Sequence, residues 1–203
     1  MREKRANRNE DYPVWGACQA DRTARVQYAS ETARRPRSAP SRSSSEWSPL
    51  MNKVTPFLMF NDQLEAAIDF YTRTFPHSEV RNVARAGKDG PIQSAEFVVG
   101  GQFFLGYNGG SHFSFSKGIS LYVDCEDQAE VDEYWNALVQ AGAQPTACGW
   151  IKDPFGLSWQ IVPRRFTELI RDKDPRKVKA VMDAMMTMVK LDVAALERAY
   201  NEA

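Results

Sequence analysis

The chain has 203 residues, 43% of them hydrophobic, and its 26 Lys and Arg balance 26 Asp and Glu. That length fits one domain with extensions, and the apolar share is enough for a core. Zero net charge gives no long-range pull on nucleic acid or anionic lipid, and no apolar run reaches the roughly 18–20 residues of a membrane span.

Residues 1–50 hold ten of the basic and six of the acidic residues, and Thr32–Pro49 is rich in Ser, Pro and Arg without apolar periodicity. Such a stretch buries too little surface to offset its ordering entropy, so a disordered leader is expected over 1–50. Its acidic residues count against an organelle transit peptide, and no apolar segment marks a secretory signal. The other reading is an upstream extension of a frame that starts naturally at Met51. Cys18, Cys125 and Cys148 form no C-x-x-C pair. They are expected as reduced thiols of a cytoplasmic protein, not as a disulfide framework or a zinc site.

From Met51 the pattern becomes that of a folded α+β domain. Val54–Phe60 reads as a strand, with Pro56 suiting an edge or a bulge. Asn61-Asp62 offers a helix cap, and Leu64, Ala67, Ile68, Tyr71 and Phe75 recur at helical spacing until Pro76. Strands over Glu79–Arg85, Ile92–Val99 and Gln102–Tyr107 follow, parted by glycine turns. The order then repeats. Ile119–Asp124 is a strand, and Asp127–Ala141 a helix with Val131, Tyr134, Trp135, Leu138 and Val139 inward. Strands follow near Gln144–Cys148, Gly149–Lys152 and Leu157–Val162, with Asp153–Gly156 as a type I turn. A shift of 65 residues lays Asp62-Gln63-Leu64-Glu65 on Asp127-Gln128-Ala129-Glu130 and Thr55 on Ser120. This self-similarity predicts a duplicated module, about 52–108 and 117–163, within a domain over 51–165. Two such modules must pair to bury both faces, with a cleft lined by alternate strand residues. Residues 166–203 read as a helical extension: Asp174-Pro175 opens a helix with Val178, Val181, Met182, Met185 and Val189 as its stripe, and Asp192 caps a shorter one.

Gly149–Pro163 (GWIKDPFGLSWQIVP), Thr55–Phe60 and the tail Met185–Tyr200 resemble the PhnB-like branch of the vicinal-oxygen-chelate superfamily, which includes glyoxalase I, bleomycin-resistance proteins and extradiol dioxygenases. The branch often bears the label 3-demethylubiquinone-9 3-methyltransferase. The resemblance implies a paired βαβββ fold and a homodimer. Superfamily enzymes hold a divalent metal at four strand positions, which here fall on Thr55, Ser120, Gln160 and Leu105 or Gly106. Two hydroxyls, an amide and an apolar residue make a poor ligand set, so no metal and no cofactor are expected. Methyl transfer finds no support either: Gly100-Gly101 joins two strands, with no helix after it to present its N-terminus to a cofactor.

The remaining candidates are weighed against plainer roles. His77 and His112 are loop residues without a partner. Cys148 is a candidate nucleophile and also an ordinary small core residue. Gln160 either orients a ligand or makes an internal bond to Thr55 or Ser120 that staples the modules. Phe57, Phe104, Tyr107, Tyr122, Trp150 and Trp159 are candidates for an aromatic pocket, of which strand alternation lets about half face one side. The basic run Arg164–Lys179 is interrupted by acids and reads as a solvated helix face, so neither nucleic acid nor membrane is an expected partner. The expected function is binding of a small, apolar or aromatic molecule. The competing expectation is an enzyme of the same superfamily, of lyase or transferase type, using Gln160, Tyr107 or Cys148.

Overall fold

The computed structural model describes residues 53–203; the predicted leader lies outside them. The first module runs β1 (Phe57–Phe60), α1 (Leu64–Thr74), β2 (Glu79–Arg85), β3 (Ile92–Val99) and β4 (Gln102–Asn108). The second runs β5 (Leu121–Cys125), α2 (Gln128–Gln140), β6 (Gln144–Pro145), β7 (Trp150–Lys152) and β8 (Ser158–Pro163). The sheets have matching orders, β1-β4-β3-β2 and β5-β8-β7-β6, each with its first strand parallel to its last. The 65-residue repeat is thus a repeat of topology, and Pro56 leads into an edge strand as its missing N–H requires. β2 forms the opposite rim of its sheet, and its register with β3 slips twice, between Val80 and Asn82 and between Ala84 and Arg85.

Alternation sorts each strand. Leu58 and Phe60 of β1, Phe97 of β3, Phe104 of β4, and Trp159 and Ile161 of β8 point toward the helices and are buried. The modules meet through these helix-bearing faces. Phe75, at the end of α1, stacks on Trp159 at 4.7 Å and lies 5.1 Å from Tyr134 of α2. Tyr71 approaches Trp159 at 5.2 Å. One apolar core therefore spans both modules, with Leu64, Ala67, Val131 and Leu138 fully buried within it.

A buried carboxylate lies at this junction. Asp153, 3% exposed, starts the turn between β7 and β8. Its Oδ2 accepts from the Tyr71 hydroxyl at 2.6 Å and from Trp159 Nε1 at 2.9 Å, and its Oδ1 accepts from the amides of Phe155 and Leu157 at 2.9 Å each. These four donors offset part of the desolvation of a buried acid. The turn has the expected form, closed by Gly156 N–H to Asp153 O at 3.0 Å with Gly156 at φ +95.

Three further helices, α3 (Arg164–Leu169), α4 (Pro175–Met186) and α5 (Val193–Asn201), form the C-terminal extension. They cover the outer face of the second sheet, where Val162, Cys148 and Trp150 pack with Phe166, Leu169, Val181, Met185, Leu191 and Leu196. The extension is tied down by backbone bonds from Cys148 N to Met188 O and Gly149 N to Val189 O, each 2.8 Å. Both donors hold positive φ, 56 and 81. A Cβ at Gly149 would lie 3.0 Å from Ile161 O, so only glycine fits the corner. Gln128 adds a side-chain clasp, accepting from Val193 N at 2.8 Å and donating to Leu191 O at 3.2 Å. The basic run is largely ion-paired, Arg165 with Glu168 and Glu197, Arg176 with Asp174, and Lys179 with Asp183. No helix among the described residues is long and apolar enough to cross a membrane.

Four local expectations need correction. The cap of α1 is not Asn61-Asp62; Asn108, at the end of β4, accepts from Leu64 N at 3.1 Å and donates to Ile92 O at 2.8 Å. Asp127 does cap α2, accepting from Glu130 N at 3.0 Å. Val139 is 42% exposed because α2 presents Leu138 to the core. The strand expected over Gln144–Cys148 is only Gln144–Pro145, since Cys148 and Gly149 turn left-handed to receive the extension. Val189 lies beyond the end of α4 and is 50% exposed.

Candidate functional site

Two hollows receive most of the candidate residues. The larger, about 620 Å³, opens between the modules. Its aromatic walls are Phe75, Phe104, Tyr122, Tyr134 and Trp159, and Ser120 and His77 lie at its margin. β5 enters it edge-on, contributing the consecutive residues Leu121–Asp124. This differs from the expected lining by alternate residues of a strand face. It arises because β5 is the first strand of its sheet and pairs on one side alone, with β8. Its free edge offers backbone N–H and C=O groups to whatever enters.

The charged groups of this cleft are already partnered. Asp124 accepts from Arg164 Nε at 3.2 Å, and Glu130 accepts from the Tyr134 hydroxyl at 2.7 Å. Burial and the Glu130 bond push the Tyr134 pKa up. Burial is also the main cause that raises the nearby Cys125 thiol to about 12. Tyr134 and Cys125 therefore stay in their neutral forms near pH 7.

The smaller hollow, about 150 Å³, lies between the outer face of the second sheet and the extension, and holds Gln160, Tyr122 and Cys148. Gln160 Nε2 donates to Ser120 Oγ at 2.7 Å. The internal bond foreseen for Gln160 therefore exists, but it lies within one module, between β8 and the residue before β5, and does not staple the two modules. Cys148 faces Met186 Sδ at 3.8 Å, and burial raises its thiol pKa, which disfavours the thiolate a nucleophile needs.

The structure thus gathers Phe104, Ser120, Tyr122 and Trp159 around the cleft and Tyr122 with Gln160 around the smaller hollow. Thr55, Phe57, Tyr107 and Trp150 line neither. Phe57 and Tyr107 lie on the outer face of the first sheet, 53% and 36% exposed. Leu105 shares that face, half-buried, whereas Gly106 is turned to α1. Phe75, Tyr134 and Glu130 were missed as cleft residues, because their sequence signal is that of ordinary amphipathic helices.

The divalent metal that the superfamily implies does not fit the side chains present. Ser120 Oγ is engaged by an amide N–H, and neither it nor Gln160 carries a charge to balance a cation. Among the described residues no three His, Cys, Asp or Glu side chains are grouped as a metal site requires. The loop Gly100-Gly101 is a turn between β3 and β4 with both residues at positive φ, and no helix begins there.

No curated protein matches the chain. Among solved structures it is similar to a PhnB protein from Bacillus cereus, described as a 3-demethylubiquinone-9 3-methyltransferase: 34% identity over 54% of this chain and 97% of that one, TM-score 0.49. A protein from Pseudomonas aeruginosa shares 22% identity over 53% of this chain and 94% of its own, TM-score 0.41. The fosfomycin resistance protein of Listeria monocytogenes, solved with Mn(II) and sulfate, shares 15% over 54% and 87%, TM-score 0.40. The family model described as 3-demethylubiquinone-9 3-methyltransferase matches residues 52–162, more than half of the chain, and the chain accordingly belongs to that family of PhnB-type proteins.

Proposed function

We propose that the protein binds a small, mainly aromatic molecule in the cleft between its modules, without a metal ion, and works as a cytoplasmic homodimer. The observation that carries this reading is the cleft itself. Its volume of about 620 Å³ falls in the range of small-molecule sites, and its walls are aromatic. Rings of Phe104, Tyr122 and Trp159 supply apolar area, while the free edge of β5 and the Ser120 hydroxyl supply directional bonds. Its carboxylates are committed to Arg164 and Tyr134, which favours an uncharged ligand. The homodimer is supported by the outer face of the first sheet. Its counterpart in the second module lies under the C-terminal helices, but Phe57 and Tyr107 are left exposed.

Titration of the full chain with a panel of aromatic and quinone-like compounds, followed by Trp fluorescence, tests the reading. Saturable binding that weakens in Gln102→Trp, which narrows the cleft mouth, is expected. Absence of binding across the panel refutes it. Elemental analysis tests the metal-free part, which stoichiometric zinc, iron or nickel would overturn. Sedimentation tests the dimer, which a monomer at micromolar concentration would overturn.

A further inference from the structure

The smaller hollow has a chemistry distinct from the cleft. It is roofed by Phe166, Ile170, Met185 and Leu191 of the extension and floored by Val162 and Gln160 of β8. Its other lining residues, Tyr122, Cys148 and Thr167, are also uncharged. We propose that it is a second binding site, built by the C-terminal helices, for a neutral single-ring compound bearing one hydroxyl, a molecule of phenol size.

Each part of that description follows from the walls. An ion would enter without a counter-charge, at a cost of several kcal/mol, so the ligand is neutral. A volume of about 150 Å³ with apolar walls suits one ring and excludes a fused polycycle. The hydroxyl follows from Gln160. Its Nε2 is held by Ser120 Oγ at 2.7 Å, which fixes the amide and leaves the carbonyl oxygen as an acceptor. A ligand hydroxyl can donate to that oxygen, which gives Gln160 the partner its carbonyl lacks among the described residues. Tyr122 borders both hollows, and its hydroxyl is bonded to Thr167 Oγ1 at 3.1 Å.

The inference stands apart from the cleft reading, and either can fail alone. The full chain is titrated with phenol, toluene and benzoate by calorimetry, alongside Ile170→Phe, which fills the hollow, and Gln102→Trp, which narrows the cleft only. Expected are one saturable phenol site per chain, no benzoate binding, and phenol affinity reduced roughly tenfold in Ile170→Phe and unchanged in Gln102→Trp. The preference for phenol over toluene should vanish in Gln160→Leu. Thermal unfolding verifies that each variant is folded, and Val162→Leu replaces Ile170→Phe if the latter is not. No saturable phenol binding, equal binding of benzoate, or loss of phenol binding in Gln102→Trp instead of the filled variant overturns the proposal.

Discussion

Replacing Tyr71 by Phe removes one hydroxyl and leaves the ring in place. In the parent that hydroxyl donates to Asp153 Oδ2 at 2.6 Å from the other module. A hydrogen bond to a charged group contributes about 1.5–3 kcal/mol. Asp153 keeps three donors in the variant, so the loss should be about 2 kcal/mol, not the roughly 3–5 kcal/mol of stripping a buried charge of its partners. With a urea m-value of about 2 kcal/mol/M, the unfolding midpoint should fall by about 1 M with the slope unchanged. The effect has a pH signature. Burial raises the Asp153 pKa above 3.8, and the pull of its donors does not cancel that rise. Asp153 therefore contributes its full stability below 3.8 and loses it as pH rises through the folded value. Without Tyr71 that value rises further, so the deficit of Tyr71→Phe should grow with pH across this window and shrink in acid. Urea unfolding at pH 7 and pH 4 measures both. A change below about 0.5 kcal/mol at pH 7, or a deficit larger in acid, refutes the view that this bond joins the modules.

Gly106→Ala should destabilise by about 1–3 kcal/mol, since the new methyl would sit 2.6 Å from Leu64 Cδ1 and 3.0 Å from Phe97 Cε1, both fully buried; thermal unfolding reads it. Asn108→Ala should cost about 1–2 kcal/mol by uncapping α1 and freeing Ile92 O, with faster amide exchange at Leu64 as its local sign. Gln128→Ala should leave the two modules intact and loosen α5, seen as faster exchange and earlier proteolysis near Leu191–Val193 with little change at Tyr71.

What was legible in the sequence was whatever repeats at short range. Most of each helix face, the strand order, the helix start at Asp174-Pro175 and the cap at Asp192 follow from local spacing and appear where expected. The duplicated module was legible because its two copies keep the same order at a constant shift. The site was less so. Strand alternation says that Phe104 and Tyr107 face opposite sides but not which side meets a neighbour. Asp153 reads as a turn former; its burial depends on Tyr71, 82 residues away. The cap of α1 comes from Asn108, 44 residues downstream of Leu64. That the extension lies over Gln160 depends on a left-handed corner at Cys148 and Gly149, and a cysteine gives no signal for positive φ.

The slipped register of β2 has a consequence for the protein in concentrated solution. A rim strand presents a row of unbonded amides that another chain could join. Here Arg81 is the extra residue on β2 at the first slip and Gln93 the extra residue on β3 at the second. Each interruption bends the rim and shifts its donors out of step, and the ion pairs Arg81–Glu79 and Arg85–Glu65 set charged side chains along it. An arriving strand meets no straight run long enough to zip onto, so this margin is a poor seed for fibre growth.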